Sequence, residues 1–108
     1  MVSSSEPEPT VVHHPDQTRF ELLVDSRHAG LVDYRPAGDS VILAHTEVDP
    51  GHEGEGLGGV LVKAALEGIR DMGKTVIPTC PYAAAWIKRH PDEWAELVAP
   101  SMRRQFVG

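Results

Sequence analysis

From Arg19 onward apolar and polar positions alternate. Phe20, Leu22 and Val24 interleave with Glu21, Leu23 and Asp25, the period-two signature of a strand. Residues 26–30 read as a turn and 31–35 (LVDYR) as a second strand. After a further turn at 36–39, residues 40–48 (SVILAHTEV) read as a third strand, so the simplest arrangement is an antiparallel meander. Strict alternation through the third strand puts Val41, Leu43, His45 and Glu47 on one face and Ile42, Ala44, Thr46 and Val48 on the other. A face that begins apolar and ends in His and Glu runs from core to site.

The period then changes to that of a helix over residues 60–72. Lys63, Glu67, Arg70, Asp71 and Lys74 form one solvent stripe, and Leu57, Val60, Leu61, Ala64, Ala65 and Ile69 fill the rest, which packs against the sheet. Gly73 is placed to end this helix, and residues 75–79 (TVIPT) form a short buried strand. Because that strand follows a helical crossover, it can lie parallel to the third strand. Cys80 and Pro81 follow, and then a second helix over 82–89 that Pro91 stops. Proline is favoured at the first helical position, which makes Cys80 the N-cap, where the helix dipole favours a thiolate. Residues 92–98 form a last short helix. The fold class expected is α/β (α+β): a mixed, mostly antiparallel sheet, a helix after a glycine-rich turn, and a C-terminal helix.

Residues 1–18 hold Ser, Pro, Glu and the pair His13 and His14 with little apolar content, which reads as a disordered tail ahead of a single domain over 19–108. Two imidazoles without a third ligand make a poor metal site. With ten Lys and Arg against sixteen Asp and Glu, the net charge of −6 repels a phosphate backbone, so nucleic acid is not expected as a partner. One cysteine allows no internal disulfide and no Cys-based zinc site. With no secretory apolar region and no long apolar run, no membrane association is expected, and a cytoplasmic location is the default.

The segment EGEGLGG at 53–59 runs directly into the first helix. A backbone bare of side chains before a helix offers unpaired N–H groups and the positive end of the helix dipole to an anion, a phosphate cradle; it also serves simply to let a helix approach a sheet closely. Cys80 reads either as a small buried hydrophobe or as a reactive thiol. His45 reads either as a structural histidine or as a general base that Glu47, two residues along, would orient. His90 is placed as a C-terminal cap. Trp86 and Tyr82 pack the second helix.

Three ordered blocks, HTEVDP at 45–50, GEGLGGVLV at 54–62 and VIPTCPY at 76–82, resemble the GNAT superfamily of N-acetyltransferases. More narrowly, they resemble a minimal, single-domain GNAT-like subgroup with a cysteine after the last core strand. The resemblance covers about residues 20–91 and implies acetyl-CoA (coenzyme A) as cosubstrate and an amine as acceptor, either a small molecule or an exposed protein amine. It places the cofactor on Val48, Glu53, Gly54, Glu55, Gly56, Leu57, Gly58, Gly59 and Tyr82. Glu53 stands where the family has a basic or amide residue, so the backbone amides of 54–59 are expected to bind the pyrophosphate while the carboxylate turns to solvent. The resemblance also implies a gap between the third strand and its parallel partner, where the pantetheine arm lies, with a backbone N–H near Val48 polarising the thioester carbonyl. Catalysis would then fall to His45 as base, Glu47 beside it, and Cys80 as either a transient acyl acceptor or an acid. Larger members carry two helices between their first and second strands to cover the acceptor; with only residues 26–30 assigned there, the acceptor side is expected to be open. Two rivals remain: a CoA or acyl-CoA-binding module with little turnover, and a redox protein using Cys80. Exposed strand edges leave a homodimer open.

Overall fold

The computed structural model describes residues 9–49 and 56–103. Its sheet has five strands in sequence order: β1 (Pro9–His14), β2 (Arg19–Val24), β3 (Arg27–Ala37), β4 (Ser40–Val48) and β5 (Thr75–Pro78). The first four are antiparallel, and β5 runs parallel to β4 after the crossover through α1 (Leu57–Asp71). Two short helices, α2 (Pro81–Lys88) and α3 (Pro91–Trp94), complete the α+β fold.

Composition misplaced one element. Pro9–His14, assigned above to a disordered tail, pairs with β2 along its whole length, from Pro9 opposite Val24 to His14 opposite Arg19. An edge strand contributes only one face to the core, so two or three anchoring side chains hold it where a central strand needs more. Val11 packs on the core, and His13 stacks on Phe20 with ring centroids 4.3 Å apart and meets the Tyr34 hydroxyl at 2.6 Å. That burial, together with the neighbouring His14, holds the His13 imidazole below its ordinary pKa, and burial raises that of Tyr34. The strand count therefore shifts by one. The connection where, by the resemblance, larger members carry two helices is residues 15–18 in this chain, with a single 3-10 turn at Pro15–Gln17, and not residues 26–30. The turn between β2 and β3 is tighter than expected as well: Asp25 and Ser26 both adopt left-handed φ, 54° and 66°, the two-residue turn that suits the twist of a hairpin.

The apolar face of α1 crosses the sheet, and Leu61, Val62, Ala65, Leu66 and Ile69 are fully buried on it. They share one core with Phe20, Leu22, Val32, Tyr34, Val41, Leu43 and Val76 from the strands. Gly73, at φ 75°, turns the chain out of α1 as anticipated. The outer edge of β5 is covered in part by the chain after α3, where Val98 bridges Val76 and the Ala99 N–H donates to the Val76 carbonyl at 2.8 Å. Trp94 on α3 lies under the Arg70 guanidinium, 5.3 Å from its ring centroid, tying α3 to the end of α1. His90 caps α2 as expected: its Nδ1 meets the Trp86 carbonyl at 2.8 Å while its ring stacks on the indole. Among the described residues no helix is long and apolar enough to cross a membrane.

Candidate functional site

The strands β4 and β5 part company halfway along β4. Their parallel register covers Ser40–Leu43 against Thr75–Pro78. It ends on one oxygen, the Leu43 carbonyl, which accepts from the Thr79 N–H at 3.1 Å, the Cys80 N–H at 3.0 Å and the Thr79 hydroxyl at 3.1 Å. Beyond this point β4 continues to Val48 while the other chain turns into α2. The Glu47 carbonyl lies against Gly30 of β3, and the Asp49 N–H donates to the Ala29 carbonyl at 2.7 Å. Since backbone groups alternate sides along a strand, the amides of Thr46 and Val48 face the gap. Among the described residues this is an unpaired stretch of strand edge in the middle of a sheet.

A bulge in β4 overturns the face assignment made from alternation. Tyr34 pairs with Leu43 but Asp33 pairs with His45, which leaves Ala44 as an extra residue. One extra residue reverses the pleat for everything after it. Thr46 therefore lies opposite the fully buried Val32 on the α1 face, and His45 and Glu47 go to the other face beside Asp33 and Leu31. His45 and Glu47 do not share a face with Val41 and Leu43. They do find each other: His45 Nε2 donates to Glu47 Oε2 at 2.7 Å, with both side chains more than half exposed. An ionised carboxylate can only accept, so Nε2 carries a proton, and in the neutral imidazole Nδ1 holds the lone pair.

The rest of this outer face is a ladder of charge pairs. Arg19 Nε donates to Asp33 at 2.7 Å, and this bond is the main cause that raises the guanidinium pKa. Glu21 accepts from His28 at 2.8 Å and from His14 at 2.9 Å, and these two bonds hold its carboxyl below the ordinary range. His28 in turn approaches Asp49, the residue after β4, at 4.0 Å.

Cys80 is the N-cap of α2, with Pro81 at the first helical position, as its sequence position required. The residue is 5% exposed and on the α1 side of the sheet, where Sγ donates to Thr46 Oγ1 at 3.3 Å. The bulge thus separates the three candidate catalytic side chains into two groups on opposite faces: Cys80 with Thr46, and His45 with Glu47. Thr46 went unnoticed in the sequence because simple alternation turned it away from Cys80.

The glycines at the head of α1 serve packing. Gly56 is the N-cap at φ 75°. A Cβ on Gly58 would fall 2.1 Å from the Tyr82 hydroxyl, and one on Gly59 would fall 2.9 Å from Trp86 Nε1, so both glycines let the aromatic residues of α2 lie on the first turn of α1. Tyr82, 44% exposed, closes over Gly58 beside the N–H groups of that turn. Leu57 is buried in the core. The candidate residues Glu53, Gly54 and Glu55 lie outside the described residues.

Several solved acetyltransferases have a similar fold. The ribosomal-protein-S18-alanine N-acetyltransferase of Escherichia coli matches with a TM-score of 0.58 at 19% identity, over 67% of this chain and 50% of its own. A putative GNAT-family acetyltransferase from Desulfovibrio desulfuricans matches with a TM-score of 0.53 at 18% identity, over 69% of this chain and 52% of its own. N-acetylglutamate synthase from Neisseria gonorrhoeae, solved with coenzyme A and N-acetyl-glutamate, matches with a TM-score of 0.57 at 13% identity, over 89% of this chain and 26% of its own. The chain thus spans about half, or less, of the length of these structures. No curated protein matches its sequence. The family model for GCN5-related N-acetyl-transferases matches residues 19–97, and the chain belongs to that family.

Proposed function

We propose that this protein transfers an acetyl group from acetyl-CoA to an amine acceptor. The observation that carries the reading is the parting of β4 from β5 at Leu43, which leaves the Thr46 and Val48 amides facing a gap, with the first turn of α1 packed against Tyr82 just after β5. An amide-bearing arm entering that gap would pair with β4 as a missing strand does, and the N–H groups at the head of α1 suit a pyrophosphate. Both features fit coenzyme A. When bound, the cosubstrate would supply the acetyl group as a thioester, and an N–H of Thr46 or Val48 would polarise its carbonyl oxygen.

The residues divide the proton work by face. An ammonium acceptor must lose a proton before it can attack, and His45 Nδ1, with Nε2 already committed to Glu47, is the group that takes it; Glu47 then stabilises the imidazolium. Cys80 lies across the sheet from His45, so among the described residues that imidazole is not placed to activate its sulfur as a nucleophile. This favours direct transfer, with Cys80 returning a proton to the departing CoA sulfur. The acceptor approaches the outer face, where the exposed His45 and Glu47 would meet either a small amine or one carried on a protein.

Isothermal calorimetry with CoA, followed by thiol release from acetyl-CoA with and without a panel of amines, tests the reading. We expect binding, and release that depends on the amine. Binding without release would instead make the protein a CoA-binding module, and no binding would remove both readings.

A further inference from the structure

We propose that Thr46 is a positioning residue of this site, whose hydroxyl holds the Cys80 sulfur at the mouth of the gap in both of the sulfur's protonation states. The purpose of this contact rests on the acetyl-transfer reading, but its test does not. The two residues are 34 apart in sequence and meet only because the bulge at Ala44 turns Thr46 to the α1 face. Their contact lies just past the last β4–β5 hydrogen bonds on the Leu43 carbonyl, where the strands separate. Cys80 makes no side-chain bond to its own helix, and at 5% exposure it has little recourse to water, so among the described residues the threonine hydroxyl is the polar group against its sulfur.

A hydroxyl suits this task because it both accepts and donates and turns freely about its C–O bond. It accepts the S–H of the thiol, as the structure shows, and after rotation it donates its own O–H to a thiolate. In the proposed reaction the proton on Cys80 Sγ passes to the departing sulfur and is later replaced from solvent. The hydroxyl follows this cycle without any movement of the chain. Valine has nearly the same shape and can do neither; serine can do both.

The test uses ligand-free protein. Alkylation of Cys80 by iodoacetamide, followed by intact mass spectrometry from pH 6 to pH 9, is compared in wild type, Thr46→Val, Thr46→Ser and Thr46→Ala. Losing a hydrogen bond to a charged sulfur slows alkylation at neutral pH by about tenfold. We therefore expect Thr46→Val to be slowed and its profile moved to higher pH, with Thr46→Ser restoring both. Thr46→Ala guards against a packing fault peculiar to valine, and thermal melts identify any variant that has lost its fold. Wild-type profiles in both Thr46→Val and Thr46→Ala would overturn the proposal. CoA affinity, measured separately, distinguishes the failures: a wild type that binds no CoA strikes the acetyl-transfer reading and leaves the thiol result standing.

Discussion

Gly30 joins the packing of the sheet to the geometry of the gap, and replacing it with alanine tests both. A Cβ there would lie 2.6 Å from the Glu47 carbonyl oxygen, 3.3 Å from Val48 Cα and 3.5 Å from the end of Leu61. The first contact is about 0.8 Å short of ordinary van der Waals separation, and the atom it meets is backbone, which cannot rotate aside. Only a shift of β4 relative to β3 relieves it. Overpacking of this kind costs about 1–3 kcal/mol. Replacing glycine with alanine returns roughly 0.5–1 kcal/mol through the unfolded chain. The balance is a loss of about 1–2 kcal/mol, which in a domain near this size lowers Tm by about 5–15 °C.

The displaced segment is Glu47 and Val48, the end of β4 that borders the gap, so Gly30→Ala should also weaken CoA binding at temperatures where the protein is fully folded. Differential scanning calorimetry and CoA titration at 15 °C measure the two effects. Gly38→Ala is the control. Gly38 lies in the turn before β4 at φ 64°, and a methyl group there would have nothing within 4 Å, so its cost is backbone strain alone, and CoA affinity should hold. A Gly30→Ala protein with wild-type Tm would refute the close approach of the strands. One that is destabilised but binds CoA normally would show that the end of β4 does not border the cofactor.

Three further outcomes follow. His45→Gln should leave CoA affinity intact and lower acetyl transfer at pH 7 by about 10²–10⁴, recovering toward high pH as the amine loses its proton unaided; a uniform loss at every pH would make His45 structural. Gly58→Ala should be rescued in part by Tyr82→Ala, because the added methyl competes with the tyrosine ring, and a coupling of about 1 kcal/mol in the double-mutant cycle is expected where additivity would deny the contact. Acidification should loosen β1 first. The unfolded chain protonates His13 near its ordinary value of 6.5 while the folded form resists, so this stability is present above 6.5 and is lost as the pH falls below it. Glu21, held below its ordinary 4.5 by His28 and His14, adds a second loss as the pH drops from 4.5 through its folded value; protection factors of β1, corrected for the intrinsic pH dependence of amide exchange, that stay constant from pH 7 to about pH 2 would contradict both.

The order of elements was legible because each carries a local signal: alternation in β2, the amphipathic stripe and terminal Gly73 of α1, and the Cys80–Pro81 start of α2. β1 was not, since an edge strand needs so few apolar residues that its Pro- and His-containing sequence resembles a tail. Its anchor, His13 between Phe20 and Tyr34, depends on partners from two other strands.

The candidate residues could be named from the sequence, but their arrangement could not. His45, Glu47, Val48, Gly58, Cys80 and Tyr82 all lie around the gap or at the head of α1, but alternation along β4 assigns His45 and Glu47 to the wrong face. The extra residue at Ala44 has no signature of its own, being neither glycine nor a charge, and it becomes visible only through the register of β3, where Tyr34 meets Leu43 and Asp33 meets His45. Its consequence is large because the pleat has a period of two, so one inserted residue exchanges the faces of all that follow. A strand without it would put His45 against α1, in contact with the core, and Thr46 on the outer face away from Cys80. With it, an exposed imidazole and a sheltered thiol stand on opposite sides of the same strand edge. On the proposed reading, that division would let one side of the gap receive a proton from an amine in solvent while the other returned one to the sulfur of the cosubstrate.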